Sequence, residues 1–372
     1  MNKFRAAILL APMLLLLACG APPTASAPEG EGSEAAAEEA TAEAVLAELE
    51  GLDGDARRER LIELAVEEGA TVTLYSSLNA PILDSVADVF EEETGVAVDQ
   101  YRASSEAVRD RILQEAQAGF RGADVIETNG PEMQILDEEG TLQPFTSPLQ
   151  EDLGEGSVAG NWTATRFNIF VVAWNTDLVA EGEQPQTYED LADPQWEGQL
   201  AMEIADVEWY RAVWQYLVED QGMSEEEADE LFEQIASNAT FLSGHTTFRQ
   251  LLVAGEYSLV ASDYSYGIDA AADEGAPVAW EPPVEPLFAR ANGIGLANGA
   301  PNPAAAVLLT EWLLSDGQDI LLENFITPAR ADLLDTGDAD VRTIDVAEYL
   351  AEQEEWTQRY EQLQQFGEVD EG

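Results

Sequence analysis

From Thr71 onward, short apolar runs alternate with longer stretches whose apolar residues recur every three or four positions. "TVTLYSS" (71–77) predicts a strand, and "PILDSVADVFEEETG" predicts a helix with Ile82, Val86, Val89 and Phe90 on one face and Gly95 as its stop. "VAVDQYRA" reads as a second strand. "SSEAVRDRILQEAQAG" reads as a second helix, capped by Ser104 or Ser105 and stopped by Gly119. "ADVIET" and "NGPEMQILDEEG" repeat the pair, with Pro131 in a first turn that tolerates it. Strand–helix alternation of this kind makes an α/β fold with mixed, mostly parallel sheets flanked by helices.

Further along, "NIFVVAWNTDL" (168–178) is a longer apolar strand, followed by helices at about 207–221 and 224–237. The second of these opens with a capping box, Ser224 to Glu227. "YSLVAS" and "NGIGLA" read as strands, and "NPAAAVLLTEWLLSDGQDILL" as a helix capped by Asn302. A last amphipathic helix is expected over about 345–365, and no internal repeat is visible. Ahead of the alternation, residues 46–68 carry Leu61, Leu64 and Ala65 at helical spacing.

The N-terminus departs from this pattern. Lys3 and Arg5 precede "AAILLAPMLLLL", a run too short for a membrane span and of the right length for a secretory signal. "Leu16-Leu17-Ala18-Cys19" is similar to a bacterial lipobox, so residues 1–18 are expected to be a lipoprotein signal peptide and Cys19 the lipidated residue. Cys19 is the single cysteine, which excludes an internal disulfide. Residues 19–45, rich in Ala, Glu, Pro, Gly and Ser, read as a disordered tether. The chain is then anchored by lipid on the extracellular or periplasmic face of the cell membrane.

Charge narrows the partners. The 74 acidic residues against 16 basic ones give a formal net charge of −58, which becomes −60 when Lys3 and Arg5 leave with the signal. Such a surface repels nucleic acid and anionic membranes. The acids are spread along the whole chain, which suits solubility in a salty medium.

In open α/β sheets ligands bind beyond the carboxyl ends of strands, where helix starts offer N–H donors. That selects Ser76, Ser77 and Asn79; Ser104 and Ser105; Asn129 and Gly130 after Thr128; and Thr246 in "GHTT" (244–247). Ser, Thr and Asn at helix starts are also caps, so a structural role stands beside each binding role. In "VASDYSYGIDA" (260–270), Tyr264 and Tyr266 would point to one face if the strand continued, and phenolate oxygens suit a hard cation such as Fe(III). Asp206 and Tyr210 in "ADVEWYR" open a helix and are further ligand candidates, with Asp206 also a candidate N-cap. Arg166 is either a salt-bridge partner or an anchor for an anion. "NGIGLANG" places its third glycine one residue too far for a dinucleotide fingerprint. His245, the single histidine, lies in no nucleophile elbow, so no catalytic residue is assigned and a secreted hydrolase is a distant alternative.

"LYSSLN…FEEETGVAV", "TYEDLADPQWEGQLAM" (187–202), "AGEYSLVAS" (254–262) and "GAPNPAAAVLLTEWLLSDGQDILL" (299–322) resemble extracellular solute-binding proteins of bacterial ABC importers, the ferric-iron-binding group in particular. The resemblance covers about residues 55–335. It implies a two-lobed, hinged periplasmic-binding-protein-like fold of type II: lobe 1 from 69–167 and 284–330, lobe 2 from 168–283, and a C-terminal helical segment from 331–372. The hinge would lie near Val171–Asn175 and Gly293–Ala297. It further implies a monomeric receptor, without cofactor, that delivers a small ligand or metal ion to a membrane permease. Fe(III), free or chelated, is the leading cargo. A small organic anion such as a phosphonate or phosphate ester, or a polyamine- or thiamine-like cation, is the alternative. The group uses an adjacent tyrosine pair in this part of the chain, often with a histidine and a glutamate from the other lobe. Here Ser265 separates the tyrosines, and the first loop, "SSLN", has no histidine.

Overall fold

The computed structural model describes residues 41–370 except 155 and 334–338. The expected signal peptide, Cys19 and most of the tether lie outside the described residues. The chain opens with α1 (Ala42–Glu48), α2 (Gly54–Glu68), β1 (Thr71–Ser76), α3 (Ala80–Thr94), β2 (Ala97–Arg102), α4 (Ser105–Gln117), β3 (Val125–Asn129) and α5 (Gly130–Glu138). Helix α1 begins inside the stretch read as tether: Thr41 caps it, its hydroxyl accepting from the Ala44 N–H at 3.2 Å, and Ala42 and Val45 are buried. Two apolar positions one helical turn apart are enough to seat a short helix, even where composition is low in large side chains.

Short strands β4 (Leu142–Gln143) and β5 (Val158–Ala159) lead to β6 (Trp162–Asn175), buried along its whole length. Then come β7 (Leu200–Glu203), α6 (Val207–Gln215), α7 (Glu225–Asn238), β8 (Ala239–Leu242), α8 (His245–Ala254), β9 (Leu259–Tyr264) and α9 (Ser265–Asp273). The chain returns through β10 (Val278–Ala279), β11 (Leu287–Ala297), α10 (Pro303–Leu313), α11 (Gly317–Glu323) and β12 (Thr327–Pro328). It closes with β13 (Val341–Thr343), α12 (Val346–Leu363) and β14 (Glu368–Asp370). Gly95 and Gly255 follow α3 and α8 with φ of 74° and 77°, the left-handed conformation that ends a helix without strain only at glycine.

The strands hydrogen-bond in the order β14–β8–β7–β9–β6–β11–β3–β1–β2. At one end β1 runs parallel to β2 and β3; at the other β7 runs parallel to β8 and β9. The two long strands β6 and β11 pair antiparallel in the middle and link the halves. Each half has its own core: Leu74, Phe90 and Trp312 in the first, Trp209, Phe232 and Phe241 in the second. Helix α10 is buried on every side, which explains why its sequence is apolar all round rather than on one stripe. Arg57 and Glu311 form a buried ion pair at 2.7 Å that fixes α2 on α10.

Two expectations change. Strand β6 already pairs with β9 from Phe170 onward, while its Thr163–Arg166 stretch lies against the part of β11 that adjoins β3. The passage between halves therefore falls near 166–170 and 288–292, a few residues before the expected positions. The strand before the tyrosines also ends at Tyr264, and Tyr266 stands in the first turn of α9.

Candidate functional site

Between the halves lies a cleft of about 410 Å³. Its first wall is built where β1, β2 and β3 end and α3, α4 and α5 begin. Ser77, Asn79, Ser104, Ser105 and Asn129 all line it, and Arg102 is exposed there with its Nε donating to the Leu78 carbonyl at 3.1 Å. Several of these polar atoms already serve the fold. Ser104 Oγ accepts from the Ala107 N–H at 3.3 Å, and Ser77 Oγ accepts from Thr128 Oγ1 at 3.1 Å. Asn129 Oδ1 accepts from Asn292 Nδ2 at 2.7 Å.

The second wall collects the ends of β7, β8 and β9. Here the rings of His245 and Tyr264 stack at 4.1 Å and 16°, and those of Tyr264 and Tyr266 at 5.8 Å and 12°. The strand-to-helix turn at Ser265 brings the two phenols to one side by a route other than strand alternation. His245 Nε2 lies 3.1 Å from Asp206 Oδ2, and its Nδ1 lies 3.8 Å from Glu203 Oε2. Asp206 is thus turned to the histidine and makes no side-chain cap bond to α6.

Electrostatics differ sharply from the ordinary on this side. Burial, with Asp206 beside it, pushes the Glu203 carboxyl up to about 7. Burial alone would lower His245, but Asp206 and Glu203 reverse the sign and leave it raised. Burial lifts the Tyr264 phenol well above its usual value, opposed by the charge of Arg290; it lifts Tyr266 too, opposed by Arg249 and Arg166.

Arg290, from β11 on the cleft floor, donates to the Tyr264 phenol oxygen and lies 3.3 Å from Glu208 Oε2. Burial, with Glu208 nearby, raises the Glu132 carboxyl of α5 to about 7. On the same floor Arg166 is paired with Glu127 as a buried salt bridge. Asn168 Oδ1, Asn292 Oδ1 and Glu203 Oε2 are buried side-chain oxygens of the cleft without a hydrogen-bond partner.

Three candidates leave the cleft. Ser76 is fully buried and donates to Glu127 Oε2 at 2.6 Å, so it holds a strand end in place. Tyr210 packs edge-on against Phe232 at 4.7 Å in the second core, because α6 turns that face inward. Gly130 is buried under the Ala291 carbonyl and Val346, where a Cβ would meet both at 2.9 Å. Thr246 lines the cleft and is exposed.

Arg290, Glu203 and Arg102 are cleft members outside the stretches expected to bind, and His245 belongs to the expected stretch 244–247. Arg290 had a signal: a lone cation inside the apolar run "LFARANGIGLA" of a chain with 16 basic residues. Among the described residues no three His, Cys, Asp or Glu side chains gather to hold one metal ion.

A two-walled cleft across a two-strand link, holding phenols, carboxylates and arginines, defines a receptor for a small polar solute. The chain belongs to the bacterial extracellular solute-binding protein family, whose model matches residues 85–341. It is 27% identical over 274 residues to iron uptake protein A1 of Synechocystis sp., covering 69% of this chain and 75% of that protein. Its fold is similar to iron-bound HitA from Pseudomonas aeruginosa (18% identity, TM-score 0.65, 79% of this chain and 99% of that one). It is also similar to AfuA from Actinobacillus pleuropneumoniae with fructose-6-phosphate bound (21% identity, TM-score 0.67, 79% and 98%). The architecture is the two-lobed α/β fold expected, and the chain is the solute-binding receptor of an ABC import system. No described helix is long and apolar enough to cross a membrane.

Proposed function

We propose that the cargo is ferric iron, free or chelated, taken up by Tyr264 and Tyr266 and enclosed as lobe 1 (69–167 and 284–330) and lobe 2 (168–283) close about the link near 166–170 and 288–292. The observation that carries this is the stacked phenol pair on the second wall, 5.8 Å between centroids and 12° between planes. A trivalent ion supplies the charge that removes phenol protons despite burial, and anionic oxygen is the donor such an ion prefers. The iron named for Synechocystis iron uptake protein A1 and HitA supports the same reading. The net charge of −58 also raises the local concentration of cations.

The receptor acts without catalysis or a resident cofactor, as a monomer, anchored through Cys19 to the membrane that holds its permease. Purified protein given ferric ion from nitrilotriacetate should develop a visible phenolate-to-iron band that Tyr264→Phe or Tyr266→Phe bleaches. Protein that stays colourless with ferric citrate as well would sink the iron reading.

One feature favours a second cargo, a small organic anion. The exposed guanidinium of Arg102 stands among the helix starts of the first wall, a pairing suited to a phosphate ester. Calorimetry with a panel of phosphate esters separates the two, since an anion receptor binds without iron.

A further inference from the structure

The family match ends at residue 341, yet the chain beyond it is built into the receptor. Strand β13 lies alongside β11, and the Ile344 N–H donates to the Ala289 carbonyl at 2.9 Å. Helix α12 then packs against both α5, at the first wall, and α6, behind the second. Its far end reaches the loop that carries the second wall's acids. Tyr360, 1% exposed, donates from its hydroxyl to the Glu203 carbonyl at 2.7 Å. Gln364 Nε2 donates to the Ile204 carbonyl at 2.8 Å. Strand β14 continues the sheet beside β8, with Asp370 opposite Leu242 just before the loop that leads to His245. The Ile204 N–H in turn donates to the Leu242 carbonyl at 3.0 Å, so the two cleft loops are tied to each other and to this segment.

We propose that residues 342–370 form a brace for the cargo cleft, in which Tyr360 and Gln364 are positioning residues that hold the Glu203–Asp206 loop at the second wall. The physical argument is that the sheet ties this loop on one side, through the Ile204 N–H and the Leu242 carbonyl, while Tyr360 and Gln364 tie it on the other through the 203 and 204 carbonyls. It sits between the last residue of β7 and the first of α6, and it carries two carboxylates, His245's two partners, whose mutual repulsion pushes them apart. Carbonyls 203 and 204 have adjacent donors from one helix end, which adds a second point of attachment to the one the sheet gives. Groups that orient ligand-bearing residues in this way typically change affinity about 10- to 100-fold when removed from metal sites. The proposal rests on the cleft being the cargo site, not on which cargo fills it.

The test uses the full chain with Tyr360→Phe, Gln364→Ala and the double substitution. Arg359→Gln serves as control: it loosens the same helix, where Arg359 lies 4.3 Å over the Trp356 ring, without touching the loop. Hydrogen–deuterium exchange of peptides spanning 203–206 and 243–246 is read in cargo-free protein, and ferric ion delivered from nitrilotriacetate is then titrated. The double variant should exchange about tenfold faster in both peptides and bind ferric ion about tenfold more weakly, with the control unchanged in both. If the double variant matches the control in exchange and affinity, the brace is refuted and the segment is plain scaffold. If parent protein takes up no ferric ion, the iron reading fails, while the exchange comparison still decides the brace.

Discussion

The two walls of the cleft face each other with different chemistry. The first is made of serine and asparagine side chains at helix starts beside Arg102, and Ser77 Oγ, Ser104 Oγ and Asn129 Oδ1 are already spent on the fold. The second carries rings and carboxylates whose proton affinities are displaced by burial and by one another. Displaced titrations mark places where the fold holds groups against their preference, and such groups gather at functional sites. The first wall reads as a frame and the second as the chemical face. Four measurements bear on that contrast.

The largest effect should come from the frame itself. Arg166 and Glu127 are paired with side chains 5% and 4% exposed, and Ser76 completes the carboxylate's bonding. Arg166→Met should destabilise by about 3–5 kcal/mol in urea denaturation, because it strands a buried charge. Arg166→Met combined with Glu127→Leu should recover much of that loss. A single-variant loss below about 1 kcal/mol would mean that the first wall is not a rigid frame.

Next comes the face. Tyr264→Phe or Tyr266→Phe should weaken ferric binding on the order of 100-fold, whereas Asn79→Ala should change it by less than about threefold. Competition against a calibrated chelator measures both. The reverse ranking would exchange the roles of the two walls.

The third effect is a pH dependence. Glu203 is raised to about 7 in the folded chain, so folding favours its protonated form. Its contribution to stability is complete below the unfolded value of about 4.5 and is lost as pH rises through about 7. From 4.5 to about 7 at about 1.4 kcal/mol per pH unit, the contribution is bounded at roughly 3 to 4 kcal/mol. Stability should therefore fall between about pH 4.5 and pH 7, more steeply in parent protein than in Glu203→Gln. Equal slopes would place the titration elsewhere, Glu132 being the next group to substitute.

These walls were unequally legible in the sequence. Alternating apolar runs mark strands and helices because burial imposes periods of two and 3.6, and the α/β order followed directly. Helix starts were legible for the same local reason, so Ser77, Asn79, Ser104 and Asn129 could be picked out. What escaped was whatever depends on contacts far apart in sequence. Asp206 looks like a cap in its own segment and turns instead to His245, 39 residues away. Tyr210 looks available at a helix start and is claimed by an aromatic core shared with Trp356 and Tyr360. Alternation along a strand would bring Tyr264 and Tyr266 to one face, yet they meet because a helix begins between them. The residues were legible, and the reason they converge was not.

The smallest effect cuts closest to the contrast. Ser104 lines the cleft, but its Oγ already accepts from the Ala107 N–H at the start of α4. Ser104→Ala should therefore lower stability by about 1 kcal/mol, the usual loss of an N-cap, and Ser104→Asp should restore it. Ferric affinity should move less than about twofold in Ser104→Ala, because capping leaves that oxygen little to offer a ligand. Suppose instead that stability holds while affinity for a phosphate ester drops about tenfold, the usual size of one lost charge-assisted hydrogen bond. The hydroxyl would then be serving cargo rather than helix, the first wall would be a binding face, and the anion reading would displace iron.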